Sequence, residues 1–216
     1  MHSTVERVVS IPVDDVHIEG LLVLPPKTQG LVLFAHGSGS SRHSPRNNFV
    51  ARELHAQHLG TLLLDLLTAG EDLDYQTRFD IPLLTHRLIA ATRWALLHAA
   101  TQHLRLGYFG ASTGAAAALQ AAAAIGEEVR AVVSRGGRPD LAGPHDLARL
   151  QAPTLLLVGG HDLEVLELNR DAFARMHCEK ELSVIPGATH LFEEPGTLEE
   201  VARQAAAWFR HHLRGL

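Results

Sequence analysis

The sequence predicts a three-layer α/β fold in which a mostly parallel sheet is covered by helices on both faces. From residue 30 onward, apolar strand-like runs alternate with segments of helical periodicity, and such alternation requires crossover connections between parallel strands. Strand candidates such as "GLVLFAHG" and "TLLLDLL" are almost uninterruptedly apolar, as strands buried on both faces are. Because the chain shows no internal repeat, linker or break in composition, residues 1–216 are expected to form one domain.

Local signals predict the individual elements. An antiparallel pair, "RVVSIPV" and "VHIEGLLVLP", opens the chain around the turn "DD". A helix with a Ser-Pro start and a Gly stop follows the third strand, and Asp80 is the predicted N-cap of the next helix, with Pro82 in its first turn. The later strands are "LRLGYFG", "VRAVVSRGG", "PTLLLVGG" and "KELSVIPG"; the later helices are "STGAAAALQAAAA", the short "GPHDLARL", "EVLELNRDAFARMH" and "TLEEVARQAAAWFRHHL". No insertion long enough for a large lid separates "SRGG" from "PTLLLVGG".

Composition narrows the classes of partner and compartment. Hydrophobic residues make up 46% of the chain, enough for a sizeable core, and the net charge of −5 is spread over interspersed charges of both signs. Cys178 is the only cysteine, which fits a reducing compartment. No signal peptide pattern and no apolar run of about 20 residues is present. We therefore expect a cytoplasmic protein without nucleic-acid or membrane partners; its oligomeric state stays open, with a homodimer among the alternatives.

Polar residues at the predicted strand ends supply a catalytic constellation. Ligand sites of open parallel sheets form at the carboxyl ends of the strands. Ser112, Asp162 and His190 each follow a predicted strand, in the order serine, acid, histidine. The stretch "GASTG" around Ser112 matches G-x-S-x-G, the strand-turn-helix motif that exposes a nucleophilic serine. We interpret the glycines and the following alanines as small residues that make room for this sharp turn.

Each member of the constellation also has a structural interpretation. Ser112 could be an ordinary helix N-cap, and Asp162 could cap the helix that follows it. Asp140 and Glu164 are competing acids. His190 is one of 15 histidines, so its residue type says little and its place after the last strand distinguishes it.

The loop "HGSGSS" after the third strand is the predicted second half of an oxyanion hole. It lacks the G-K-[S/T] ending of a phosphate loop. Acyl transfer needs two backbone N–H donors beside the developing oxyanion, and we assign them to Ser38 and Thr113. We interpret His36, at the start of the loop, as a structural histidine. His55 and His58 lie three apart on a helix, but the sequence offers no third ligand, so no metal site is expected.

Taken together, these motifs resemble the dienelactone-hydrolase-like branch of the α/β-hydrolase superfamily. This resemblance implies an eight-stranded sheet with an antiparallel second strand, a Ser112-Asp162-His190 triad and no cofactor. Dienelactone hydrolases proper carry a cysteine nucleophile, whereas this chain has Ser112, which favours general ester hydrolysis over the dienelactone reaction. The resemblance covers nearly the whole chain and is carried by "LVLFAHGSGSSRHSPRN", "GYFGASTGAA", "LLLVGGHD" and "PGATHLFEEPG".

The expected substrate is a small acyl compound, and esterase, thioesterase, lactonase and peptidase activities all fit this machinery. Arg42 and Arg46 follow the oxyanion loop, and Arg135 and Arg138 follow a strand at the same edge. Arginines suit an anionic group on the substrate, with Arg135 the first candidate and Arg42 the second. Alternatively, the arginines pair with acidic neighbours, for which the candidates are Glu71, Asp72, Asp74 and Asp140.

The second functional hypothesis is a non-catalytic ligand-binding or scaffold protein on the same fold.

Overall fold

The computed structural model describes residues 3–215 and contains an eight-stranded sheet flanked by helices. The strands are β1 (Val5–Val13), β2 (Val16–Leu24), β3 (Gly30–Ala35), β4 (Leu59–Leu64), β5 (Arg105–Ala111), β6 (Val129–Arg135), β7 (Thr154–Gly159) and β8 (Lys180–Ile185). The helices are α1 (Pro45–Ala56), α2 (Ile81–Leu97), α3 (Thr113–Ile125), α4 (Pro144–Arg149), α5 (Leu163–Arg175) and α6 (Thr197–Leu213).

The sheet has the strand order β1-β2-β4-β3-β5-β6-β7-β8. Strand β2 runs antiparallel to both of its neighbours, and all other pairs are parallel. The predicted opening hairpin, the mostly parallel sheet and the antiparallel second strand are therefore confirmed. The carboxyl ends of β3, β5, β6, β7 and β8 meet at one edge, where the predicted site residues follow them.

Two hydrophobic cores cover the two faces of the sheet. Along β3, Leu31 and Leu33 pack into a core shared with α2 and α3, whereas Val32 and Phe34 pack into a core shared with α1 and α6. This alternation follows from the two-residue period of a strand. The predicted three-layer architecture is confirmed.

The C-terminal helix α6 belongs to the second core. Phe209 and Leu213 are fully buried, and Phe209 packs on Gly107, where an added Cβ would lie 2.9 Å from the phenyl ring. Trp208 is half-buried, and its indole N–H donates to the Pro153 carbonyl at 3.3 Å. These apolar side chains of α6 therefore pack in or against the second hydrophobic core.

The connection between β4 and α2, residues 65–80, is the longest one at the functional edge that contains no α-helix. Asp80 caps α2 as predicted, because its carboxylate accepts a hydrogen bond from the Leu83 N–H at 3.0 Å. Between β6 and β7 lie a 3-10 turn (Pro139–Ala142) and α4, without a large insertion. Two further 3-10 turns, Glu71–Leu73 and Thr77–Phe79, precede α2 and were not predicted. Within residues 3–215, no helix combines the length and apolarity needed to cross a bilayer.

Candidate active site

Ser112 occupies a strained turn between β5 and α3. Its backbone has φ 51° and ψ −120°, a conformation that a non-glycine residue adopts at an energetic cost and that concentrates at functional sites. The turn is held by a hydrogen bond from the Ser112 N–H to the Arg135 carbonyl at 3.3 Å and by one from the Arg138 N–H to the Ser112 carbonyl at 3.1 Å. The serine is thus fixed against the end of the neighbouring strand β6.

Glycine is required on both sides of Ser112. A Cβ at Gly114 would lie 2.2 Å from the Ala35 carbonyl oxygen, and one at Gly110 would lie 2.5 Å from the Ala115 Cα. Because both contacts are with backbone, no side-chain rotation relieves them. The interpretation of "GASTG" as a tight strand-turn-helix motif therefore has a direct steric basis.

The Ser112 side chain does not act as a helix cap, although the residue occupies the N-cap position of α3. Asp162 likewise precedes α5 without capping it through its carboxylate. Instead, Asp162 Oδ2 lies 2.6 Å from Nδ1 of His190. The Asp162 side chain is 14% exposed and that of His190 is 40% exposed, so the carboxylate is shielded while the imidazole remains reachable from solvent.

Backbone contacts hold the two loops of this pair together. The His161 N–H donates to the Ala188 carbonyl at 2.9 Å, and a Cβ at Gly159 would lie 2.4 Å from the same oxygen. The imidazole of His190 lies over Gly136, where an added Cβ would sit 3.5 Å from its Cε1 and Nδ1 atoms. Gly136 directly follows Arg135, whose carbonyl accepts from Ser112, so the three predicted residues converge on one edge.

The serine and histidine side chains of the candidate triad are not hydrogen-bonded to each other in this structure. Ser112 Oγ and His190 Nε2, both within the described residues, form no hydrogen bond. Catalytic hydrogen bonds are commonly long in ligand-free enzymes and tighten when substrate binds. The arrangement thus presents a formed His-Asp pair beside a partly buried serine whose hydroxyl makes no hydrogen bond to the imidazole.

The loop after β3 approaches the serine as predicted. A Cβ at Gly37 would lie 3.2 Å from the Ser112 Cβ, so a larger residue at this position would crowd the serine. Ser38 comes next and is exposed. Thr113 begins α3, and the first N–H groups of a helix have no partner within it. Both assigned N–H donors therefore belong to segments that flank the serine.

His36 is the structural histidine that the sequence indicated. Its Nε2 accepts from the Leu66 N–H at 3.0 Å, which leaves the proton on Nδ1 to be donated to the Gly37 carbonyl at 2.9 Å. Burial lowers the pKa of His36. This neutral imidazole ties the loop after β3 to the end of β4.

The candidate substrate arginines fall into two classes. Arg42 pairs with Glu19 at 2.9 Å and also with Asp65, so its guanidinium is already neutralised and acid pairing describes it better than substrate binding. Arg138 pairs with Asp140 at 2.7 Å, as the alternative from sequence predicted. Asp140, a competing acid for the triad, is occupied by this pair.

Arg135 has a different environment. Its side chain is buried at the end of β6, and Nη2 donates to Asn47 Oδ1 at 3.2 Å. The guanidinium carbon lies 6.0 Å from the centre of the Phe192 ring. Neither Asn47 nor Phe192 was expected at this edge; the one signal in the sequence is that Asn47 follows Arg46 and that Phe192 lies two residues after His190.

A cavity of about 500 Å³ lies beside the loop that follows β3. Its walls include Ser40, Ser41, the Arg42-Asp65 pair and Thr68. This cavity adjoins the loop after β3, but Ser112, Asp162 and His190 do not line it. Among residues 3–215, no group of three or more potential metal ligands is assembled.

Comparison with known proteins gives two kinds of relative. No family model matches the chain. Two Mycobacterium tuberculosis proteins, provisionally named phosphoribosyl transferases, are 56% identical over 207 residues; this match spans 96% of the chain but only 46% of each relative. The chain therefore spans about half the length of these curated relatives.

Solved structures match over the full length. The dienelactone hydrolase of Anabaena variabilis is 55% identical, with a TM-score of 0.95 over 99% of this chain and 100% of that one. Est1E from Butyrivibrio proteoclasticus, at 16% identity and a TM-score of 0.80 over 95% of this chain and 98% of that one, shares the fold. Because the dienelactone hydrolase of Anabaena variabilis shares the fold and more than half of the residues over nearly the whole of both chains, the chain belongs to the dienelactone hydrolase branch of the α/β-hydrolase superfamily.

Proposed function

We propose that this chain is a serine hydrolase that cleaves a small carboxylic ester or a related acyl bond through an acyl-enzyme. The observation that carries the proposal is the 2.6 Å contact between His190 Nδ1 and Asp162 Oδ2, at the same edge as the strained and partly buried Ser112. An aspartate on Nδ1 fixes the tautomer in which Nε2 has a free lone pair. That lone pair is the base that a serine nucleophile needs.

The proposed reaction has two halves. His190 Nε2 takes the hydroxyl proton of Ser112 as Oγ attacks the acyl carbon, and the backbone N–H groups of Thr113 and Ser38 stabilise the oxyanion. When the intermediate collapses, His190 returns the proton to the leaving oxygen. Water, deprotonated by His190, then attacks the acyl-enzyme, and collapse of the second intermediate regenerates Ser112. Asp162 orients His190 and stabilises the imidazolium in both halves.

A serine nucleophile sets the expected reaction class. A serine hydroxyl becomes nucleophilic enough to attack an unactivated ester only when a general base removes its proton. A cysteine thiol ionises more readily and depends less on such a base. We therefore propose general ester hydrolysis rather than hydrolysis of a dienelactone. Thioesters and lactones are substrates of the same machinery.

The mycobacterial relatives are named as phosphoribosyl transferases, which suggests a second activity. We assign that activity to the part of those relatives that this chain does not match. This chain aligns over its full length with a dienelactone hydrolase, whereas it spans 46% of those relatives. We propose that any phosphoribosyl transfer by them belongs to the portion that this chain does not match. Assaying this chain alone for pyrophosphate release from phosphoribosyl pyrophosphate tests the assignment, and measurable transfer would overturn it.

The hydrolase proposal is tested by turnover of short-chain 4-nitrophenyl esters with the wild type and Ser112→Ala. We expect turnover by the wild type and its loss in the variant, with both proteins folded by circular dichroism. Equal turnover in the two would remove Ser112 from the reaction. A folded wild type without any turnover would favour the alternative of a non-catalytic binding protein.

A further inference from the structure

The arginines around the functional edge are mostly neutralised by carboxylates. Arg42 pairs with Glu19 and Asp65, and Arg138 pairs with Asp140. A third arginine, the buried Arg87 of α2, binds Glu71 at 2.6 Å. This is the usual condition of a buried arginine, because an unpaired charge inside a protein is costly.

Arg135 does not follow this pattern. It is 7% exposed, its Nε has no hydrogen-bond partner, and among residues 3–215 no carboxylate forms an ion pair with it. Its one polar contact is with the neutral amide of Asn47. Burial, reinforced by the charge of Arg46, lowers the pKa of Arg135 to about 10, so the group remains a cation at neutral pH.

Arg46 places a second cation beside the first. It lies in the first turn of α1, its Nε is also buried without a partner, and no described carboxylate pairs with it. The residue is only partly buried, so this side of the pair can be reached. Because the N-terminus of a helix carries positive partial charge, the whole cluster consists of groups that favour an anion.

We propose that Arg46 and Arg135 form an anion-binding subsite that holds a carboxylate or phosphate group of the acyl substrate. The subsite adjoins the reacting groups: the Arg135 carbonyl accepts from the Ser112 N–H, and Phe192, which faces the Arg135 guanidinium, lies two residues after His190. This proposal rests on the proposed hydrolase function for the identity of the ligand. It deepens that function by assigning the substrate a negative charge away from the scissile bond.

The competing explanation is that Arg135 serves only to position Asn47 and α1. The two roles differ in what Arg135→Met does to stability. If the arginine awaits an anion, its removal relieves a buried charge, and the melting temperature in anion-poor buffer stays level or rises by about 2–6 °C. If the arginine is structural, the melting temperature falls. Arg130→Met, on the same strand but exposed, is the matched control.

Substrate preference supplies the second readout. The substrates 4-nitrophenyl hydrogen adipate and 4-nitrophenyl hexanoate share a leaving group and a six-carbon acyl chain, but only the first ends in a carboxylate. We expect the wild type to prefer the adipate ester by about 10-fold or more in kcat/KM, as expected for one charged hydrogen-bonded contact. Arg135→Met should lose that preference, measured as the ratio of kcat/KM for the two esters on the same protein, and Arg130→Met should retain it.

A binding measurement separates this proposal from the hydrolase proposal. Thermal shifts with adipate and with inorganic phosphate are measured on Ser112→Ala, which has no turnover to interfere. A shift that disappears in Ser112→Ala/Arg135→Met supports the subsite, and the more effective of the two anions distinguishes a carboxylate from a phosphate ligand. If the wild type hydrolyses both esters without a preference for the charged one, and no anion raises the melting temperature, the subsite proposal is overturned and the hydrolase proposal stands. If an anion raises the melting temperature but the wild type shows no turnover, the subsite proposal stands and the hydrolase proposal is overturned.

Discussion

His190 Nδ1 and Asp162 Oδ2 lie 2.6 Å apart, although the two residues follow different strands and are separated by 28 positions. The contact exists because β7 and β8 are parallel neighbours, so that both strands end at the same edge. Hydrogen bonds from the loop after β7 to the turn after β8 then hold the two side chains in register.

Replacing Asp162 with asparagine tests the role of this contact. An amide in place of the carboxylate no longer stabilises the imidazolium and permits the wrong tautomer of His190. We expect kcat for a 4-nitrophenyl ester to fall by about 10³–10⁴-fold with a small change in KM. Glu164→Gln, an exposed acid two positions away, is the control and should keep wild-type activity. A loss shared equally by the two variants would argue against a specific Asp162-His190 pair.

Gly114→Ala should destabilise the fold. The new methyl group would lie 2.2 Å from the Ala35 carbonyl oxygen, so α3 has to move away from the sheet. We expect a loss of about 3 kcal/mol in the free energy of unfolding, measured by urea titration. Gly70→Ala is the matched control, because nothing lies within 4 Å of its added Cβ and its φ of −69° suits alanine; a gain of about 0.5 kcal/mol is expected there. Equal stability of Gly114→Ala and wild type would contradict the steric account.

Glu71→Gln should expose the cost of an unpaired buried arginine. The Arg87 guanidinium lowers the pKa of Glu71, so the carboxylate stabilises the fold above its unfolded-state pKa, and this contribution is lost as pH falls through the lower folded-state value. Without the charge, Arg87 remains buried and unpaired, and we expect a loss of about 3 kcal/mol at pH 7. Wild type and variant should converge in stability as the solution is acidified. A constant difference at every pH would contradict the assignment.

His36 should make the fold sensitive to mild acid. Burial holds the pKa of His36 below 6.5, so the unfolded chain takes up a proton at a pH where the folded protein does not. Stability is therefore fully present above pH 6.5 and decreases as pH falls toward the folded-state value. His55 and His212, whose pKa values burial also lowers, act in the same direction. In urea titrations from pH 7.5 to 5.5, His36→Gln should show a slope smaller by up to about 1.4 kcal/mol per pH unit; an unchanged slope would mean that His36 does not titrate between the two states.

Much of the site could be predicted from sequence because each triad candidate lies in the loop or turn that follows a strand. Apolar runs locate the strands, and the carboxyl ends of parallel strands share an edge, so Ser112, Asp162 and His190 were expected together. The partners of the arginines could not be predicted in this way. Arg42 forms ion pairs with Glu19 on β2 and with Asp65 after β4. These pairs depend on how separate strands and loops pack against one another.

The 3-10 turns before α2 were missed for a related reason. Their few residues are too short for an apolar period to develop, and the segment is held by long side chains such as Arg78, which contacts Asp72. Phe192 was missed because one aromatic residue in a loop has no pattern around it. Its burial follows from the turn that places His190.

Labelling with a fluorophosphonate, followed by mass spectrometry of the peptides, tests the central claim most directly. The reagent reacts with a serine only when a base and an oxyanion site activate it, and it makes no assumption about the natural substrate. We predict a single adduct on Ser112 in the wild type, none in Ser112→Ala and strongly reduced labelling in Asp162→Asn. A folded wild type that stays unlabelled, or that is labelled at another residue, would contradict the assignment of Ser112 as the nucleophile.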